Sequence, residues 1–521
     1  TVNASQFVGI ARSSTDLELA EPPTELVGLS NGSITKGKPV ILRSDGDFEL
    51  ISQNTINAGL GTLDTTTLSD SGYHQVAYGK ENEFINIYRL ENTDYYVYTT
   101  PNTISSDDLT TITKGTTGSV DFGYMRDAGI IYEPNEDKYV IISMNSSNYL
   151  TGAVVTYNGT GSSATVTIGT PTVLDSSGTY QNGTSNQNLA YDTTAQKIVV
   201  SYCHSSSNAI TIVVNLSGTT LTTGSRTTVP IYGTYINDGS VKVAYSSTEN
   251  RVIYLYADNN NYKYYTTVGT VSGTSISFGS TQEVTNQVTG YLNNGGNGCI
   301  TVADTGEVVL TYLDSSYNLY SHSGTLSNTT MTWGSPSQIS NIICYNGSGA
   351  GGDQYSGQEP IANGKIIVAR STTSSSPSNA SKGIFCVVSV SGTSVTNGSV
   401  EEFSTVSETT RYLQVSTNVS KTQAVFTSGN GEIDNIVYLE SNQAGATTLT
   451  ATNFIGFAQQ TVSDNEDVKV ATTGQTDINQ SSLTPATQLY VQGDGTLSTT
   501  AGTPSVLGGT ALSSTKILIK S

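Results

Sequence analysis

The stretch "KVAYSSTENRVIYLYADNNNYKYYTTVGTVSGTSISFGSTQEV", residues 242–284, contains the run on which the fold turns. That run is "VIYLY", 252–256, apolar at every position instead of at alternate ones. A strand with one wet face alternates between apolar and polar residues. A strand without alternation is covered on both faces. Around it stand a short strand, the polar turn "SSTEN", a second polar stretch, a third strand, an "SGT" hairpin and a fourth strand ending in "GS". This is the pattern of four antiparallel strands in one unit.

The unit repeats. "NLAYDTTAQKIVVSYCHSSSNAITIVVNLSGTTLTTGSRTTV" from Asn188 and "ITVADTGEVVLTYLDSSYNLYSHSGTLSNTTMTWGSPSQI" from Ile300 align with it, which places Tyr202, Tyr256 and Tyr312 at one position, 54 and 56 residues apart. Fainter copies begin at Ile130, with Met144 at the tyrosine position, and at Glu359, with Arg370 there. The faintest begin at Tyr73 and Tyr412. A unit this regular cannot bury its faces alone and stacks on its neighbours. Blades of a propeller do this, and hairpin turns favour antiparallel blades over the shorter parallel coils of a solenoid. The expectation is an all-β chain whose residues 62–450 form a propeller of seven four-stranded blades: 62–120, 121–174, 175–230, 231–284, 285–340, 341–403 and 404–450. Six blades is the alternative, the first and last copies being the weakest.

The two ends share a different pattern. "ASQFVGIAR" from Ala4 and "TNFIGFAQQ" from Thr452 both read polar, polar, aromatic, aliphatic, Gly, apolar, Ala. Each is followed by a short apolar strand (Val40, Ile41, Leu42; Leu489, Tyr490, Val491) and a turn at Asp45-Gly46 or Asp494-Gly495. Asp-Gly between strand-like runs is a strong hairpin signal, because it tolerates the positive φ of tight primed turns. Two related small β modules are expected, 1–61 and 451–521, with Phe7 and Phe454 at equivalent core positions. The closure of a propeller places them side by side. The N-terminal copy lacks an obvious equivalent of "LGGTALSSTKILIKS" before the first blade, so its closing strands come from elsewhere or it is incomplete.

Composition agrees with an all-β chain. Only 12% of the 521 residues are charged, about half the usual share, and Gly, Ser, Thr and Asn abound. A net charge of −20 argues against a nucleic-acid surface, which needs a basic stripe, and against electrostatic binding to anionic lipid. No run reaches the length of a membrane-spanning helix and no signal peptide is visible, so no membrane insertion is expected. Cys203, Cys299, Cys344 and Cys386 form no C-x-x-C pair and read as small buried hydrophobes, although the spacing leaves disulfides open.

The blades resemble the propeller repeats of structural proteins of tailed phages, marine phages in particular. The form D-x-x-x-x-K-V-V-V-x-Y … V-S-G-T-S-I-S-F-G-S is most complete at 245–280. The terminal "NFIGFA … LTPATQLYVQGDGTLST … VLGGTALSSTKILIKS" is similar to a small β module at the ends of phage tail-fibre and other virion proteins. The resemblance implies a virion-surface protein of the adhesion apparatus, homo-oligomeric. It would contact other virion proteins and a host-surface glycan or protein.

Signs of chemistry are sparse, and no enzyme, metal or cofactor is expected. A sialidase-type propeller needs an arginine cluster, and the arginines are scattered save for Arg89 and Arg370; the S-x-D-x-G-x-T-W box is absent. "MTWGSP" around Trp333 reads as a hairpin aromatic packed on the next blade. His74, His204 and His322 lie in separate units without ligand spacing, and His204 and His322 read as solvent-facing or edge positions. The better candidates for binding are loop tyrosines, rigid and amphipathic: Tyr262 and Tyr264 in "YADNNNYKYY", Tyr317 and Tyr320 in "LDSSYNLYSH". Competing readings are a capsid or tail decoration or connector without receptor role, and a carbohydrate-active enzyme. The missing acid/base constellation weighs against the last.

Overall fold

The computed structural model describes residues 10–11, 17–18, 25–43, 45–51, 58–59 and most of 71–520; within that last span it leaves out 81, 91–95, 105–111, 123–127, 178–187, 206–207, 232–240, 259–262, 286–297, 315, 317, 341–355, 362, 372–382, 403–410, 420, 422, 430–433, 441–447, 494 and 503. Two compact units appear, 57–442 and the joined ends 1–56 with 443–521. The sequence pattern had suggested cuts at 61 and 450.

The larger unit is a seven-bladed β-propeller. Its seven antiparallel sheets follow one another in chain order. The fourth blade shows the common design: Lys242–Ser246 innermost, then Arg251–Asp258, Lys263–Ser272 and Ser275–Phe278, each pairing with the one before. The "VIYLY" run is its second strand, and all five side chains are buried. They divide between two cores. Val252, Tyr254 and Tyr256 pack with Val199, Val213 and Cys203 of the third blade. Ile253 and Leu255 pack with Val308, Leu310 and Tyr312 of the fifth. One strand thus serves two inter-blade cores, which is why it shows no alternation.

The inner strands are Ser71–Tyr78, Ala128–Glu133, Leu189–Asp192, Lys242–Ser246, Cys299–Val302, Ser356–Ile361 and Arg411–Thr417. Each packs on the next, and Arg411–Thr417 packs on Ser71–Tyr78, so the ring is closed. At the seam the Tyr78 amide donates to Ser416 Oγ at 2.9 Å, and Val425 packs with Val76, Tyr78 and Phe84. The seventh sheet takes its fourth strand from the other end of the propeller: Ala58–Gly59 pairs with Asp434–Glu440, Leu439 opposite Ala58. The sequence pattern had drawn that blade wholly from 404–450. It could not show the borrowed strand, since an outermost strand of two residues carries no periodicity.

The smaller unit holds two five-stranded sheets of one design. The first runs Glu25–Leu29, Asp467–Ala471, Phe454–Ala458, Pro39–Leu42, Phe48–Leu50. The second runs Thr476–Asp477, Lys516–Ile519, Val506–Ser513, Gln488–Val491, Leu497–Ser498. The tight turns match: the Gly46 amide donates to Arg43 O at 3.1 Å and the Gly495 amide to Gln492 O at 3.0 Å. Gly456 and Gly509 match too, both at φ 152°. A Cβ there would lie 1.8 Å from Ala471 O or 2.2 Å from Leu518 O, so only glycine fits. Val40 faces Gly456 as Leu489 faces Gly509.

The ends are therefore not two independent modules side by side. The N-terminal sheet is closed by 454–471, across the inserted propeller, and "NFIGFA" plays the part of "LGGTA" and not that of an N-terminal strand in its own module. Phe7 lies outside the described residues. Phe454 and Phe457 meet edge to face at 5.7 Å in a core shared by the two sheets, with Leu489, Val491 and Ile517.

Two outcomes follow from this packing. Ile253→Ala removes buried methylenes from a core that cannot collapse, and should destabilise the propeller by ~2–5 kcal/mol in chemical denaturation. Phe454→Ala should destabilise the terminal unit by ~3–5 kcal/mol. Because its strand binds Pro39–Leu42, hydrogen exchange should then rise at 25–50 and 454–519 together, with the propeller unchanged.

Candidate functional site

The seven inner strands surround a central cavity of about 340 Å³. Pairing with the second strands gives equivalent positions around it. The residues opposite Ile85, Val140, Val199, Ile253, Val309, Ile367 and Val425 are Ala77, Ile131, Ala190, Ala244, Thr301, Glu359 and Ser416. Glu359 is the one charged member of this ring. It is half-buried and lines the cavity. Desolvation pushes its carboxyl up to about 8 against the pull of Lys421.

One residue further along, the ring reads Tyr78, Tyr132, Tyr191, Tyr245, Val302, Pro360, Thr417. Four tyrosines fall in blades one to four, and the hydroxyls of three of them tie turns together. Tyr132 donates to Asp137 of its own turn at 2.8 Å. Tyr191 donates to Glu133 of the preceding blade. Tyr245 reaches Asn250 at 3.1 Å and Thr194 of the preceding blade at 2.9 Å. Burial, then the carboxylate partner, raises the pKa of Tyr132 and Tyr191, so both stay protonated.

Blades five to seven carry charge in place of those hydroxyls. Asp304 accepts from the amides of Asn363, at 2.9 Å, and Gly364, at 2.7 Å, joining blade five to blade six. Lys421 stands in the first turn of blade seven, at φ 56°. Burial lowers its pKa, while Asp304 and then Glu359 draw it back up. The cavity thus has one half rimmed by tyrosines and one half with an acid–base pair. A carboxyl that keeps its proton near neutral pH can both donate and accept a hydrogen bond. Beside an ammonium in a sheltered cavity, it suits polar groups.

The expected binding tyrosines lie elsewhere. Tyr262 and Tyr317 fall outside the described residues. Tyr264 is 1% exposed and packs on Tyr312 at 5.5 Å, between blades four and five. Tyr320 is half-buried and stacks on Tyr312 at 6.0 Å. Both belong to third strands, not to loops, because those strands start earlier than their polar lead-ins suggest. His322 is also corrected: it is fully buried against Trp333, its ring Nε2 3.1 Å from Gly334 O, and burial lowers its pKa. Trp333 packs in the core shared with blade four, the preceding one. The side chains of His74 and His204 are not described. Cys203, Cys299 and Cys386 are buried, and Cys344 lies outside the described residues. Among the described residues, no three His, Cys, Asp or Glu side chains gather at metal-binding distance.

Sequence reasoning missed Glu359, Lys421 and Asp304. Aligning the repeats on their inner strands would have exposed the first, a lone acid where other units carry Ala, Ile, Thr or Ser.

No protein-family model and no curated protein matches the chain. Among solved structures it is similar to a Lactobacillus plantarum protein (13% identity over 77% of this chain and 99% of that one, TM-score 0.39). It is also similar to the WD40 domain of Toxoplasma gondii coronin (9%, 80% and 90%, TM-score 0.39) and to the Aleuria aurantia lectin in complex with Fucα1-6GlcNAc (12%, 67% and 99%, TM-score 0.35).

Glu359 should make stability depend on pH with a definite sign. Its folded pKa, about 8, lies above the ordinary 4.5, so its favourable contribution is complete below about pH 4.5 and is lost as pH rises through 8. Glu359→Gln should flatten the fall of Tm across that window and leave the variant more stable than the parent above pH 8. Parallel melting curves would indicate an ordinary solvated carboxylate.

Proposed function

We propose that this protein is a non-enzymatic component of the adhesion apparatus on a tailed-phage virion. In this reading the propeller binds a host-surface glycan or protein, or a neighbouring virion protein, and the terminal unit is the mounting part of a homo-oligomer. One observation carries the proposal. The propeller is inserted between Phe48–Leu50 and Phe454–Ala458 of the first sheet, while the second sheet has the same strand order with no insertion. The mounting design therefore does not need the propeller, which stands as an added, displayed domain. The resemblance of the terminal strings to tail-fibre modules supports the same reading.

Particles in which a short flexible linker replaces 57–442 should assemble with the shortened protein aboard and lose adsorption to the host. Normal adsorption by such particles would support a connector role and overturn the receptor reading. Failure to find the chain in any purified virion by mass spectrometry would overturn the proposal as a whole.

A further inference from the structure

The central cavity has two unlike walls. Its seven equivalent positions fall into two unbroken arcs. Blades one to four present Ala77, Ile131, Ala190 and Ala244, and blades five to seven present Thr301, Glu359 and Ser416. All seven residues line the cavity, and Lys421 joins the second arc from the turn of blade seven. Copies of one repeat would by themselves give a uniform wall. Here one side is small and apolar, and the other carries hydroxyl, carboxyl and ammonium groups.

The cavity also has a mouth and a floor. Pro134, Thr193, Ser247 and Val419, in the turns that follow the inner strands, line it and are exposed. At the opposite ends of the inner strands of blades two to five, Ala128, Asn188, Lys242 and Cys299 are buried. A ligand therefore enters from the turn side and stops inside the ring. The space is about 340 Å³. Ligand pockets run from about 300 to 1,000 Å³, so this one suits a single small ring and not a length of chain. Near the mouth the rings of Tyr132, Tyr191 and Tyr245 are held in place by the turn contacts of their hydroxyls, and they present fixed amphipathic surfaces.

We infer that this cavity is a carbohydrate site that takes one terminal sugar residue, its apolar C–H surface against blades one to four and its hydroxyl edge against Thr301, Glu359, Ser416 and Lys421. A pyranose ring carries both kinds of surface. It needs a wall that small side chains let it approach closely, and a wall whose groups can donate and accept. Serine and threonine hydroxyls do both, and an ammonium adds donors. Glu359 keeps its proton near neutral pH and so does both as well. The inference rests on the reading of the propeller as the receptor-binding part, and it narrows that reading to the end of a glycan.

The test is saturation-transfer NMR on the purified full chain at pH 7, with the methyl glycosides of glucose, galactose, mannose, N-acetylglucosamine and glucuronic acid as probes. At least one should bind with a Kd on the order of 1 mM, the range open to so small a ligand. Sorbitol, which has the hydroxyls without the ring, should not. Thr301→Val keeps the side-chain shape and should weaken binding about fivefold, the loss of one hydrogen bond. Glu359→Leu should weaken it about tenfold or more, and Ala190→Leu should block it from the apolar wall with the polar wall intact. Each variant is matched to the parent by its melting curve. Binding of none of the glycosides, equal binding of sorbitol, or binding that survives Thr301→Val combined with Glu359→Leu overturns the inference. These readings concern the purified chain, so they stand apart from virion adsorption, by which the wider reading is judged.

Discussion

The whole propeller depends on burying both faces of its second strands. Val252, Tyr254 and Tyr256 leave one side of their strand and Ile253 and Leu255 the other, and each set enters a core completed by a different blade. A fully buried side chain of this size stabilises by roughly 1.5–3 kcal/mol, but only when the neighbouring blade is present to cover it. Single blades therefore have no stable existence, and the ring must close. Closure is made firm at the seam by Val425 against Val76 and Phe84, and by a last blade that takes Ala58–Gly59 from before the first.

The same need to cover exposed edges governs the terminal unit. A Gly-turn hairpin such as Pro39–Leu50 offers an unpaired edge, and the strand that covers it must bulge around a glycine. In the second sheet that strand follows directly after the hairpin. In the first it arrives only after the propeller, and still takes the same place, with Gly456 in the backbone state of Gly509. Strand pairing is indifferent to how much chain lies between the partners, provided the loop ends come back close together. A closed ring returns them. This is the physical reason why so large a domain can be inserted there.

The cavity shows how a repeat acquires a site. Seven inner strands repeat in shape, but the tyrosine clasps stop after blade four and charge replaces them in blades five to seven. Glu359 stands where other blades carry small or apolar side chains, and the surrounding protein raises its proton affinity. Such a departure from symmetry singles out one sector of a ring that otherwise presents similar walls.

The amino-acid sequence by itself determined the strand content, the repeat near 55 residues and the two Gly-turn hairpins, and favoured seven blades over six. Each of these is written locally, in apolar runs and in turn residues whose backbone preferences act over a few positions. Tertiary structure alone decided which strand covers which edge. "NFIGFA" reads like an N-terminal strand and works as the closing strand of a sheet begun some four hundred residues earlier. Tyr264 and Tyr320 read like loop aromatics and are strand residues packed on Tyr312. Lys421 feels the charges of Asp304 and Glu359, from two other blades, only because the ring brings those blades together. Periodicity records how a strand is buried; the identity of what buries it is set by pairing and packing across the chain, and those leave no local mark.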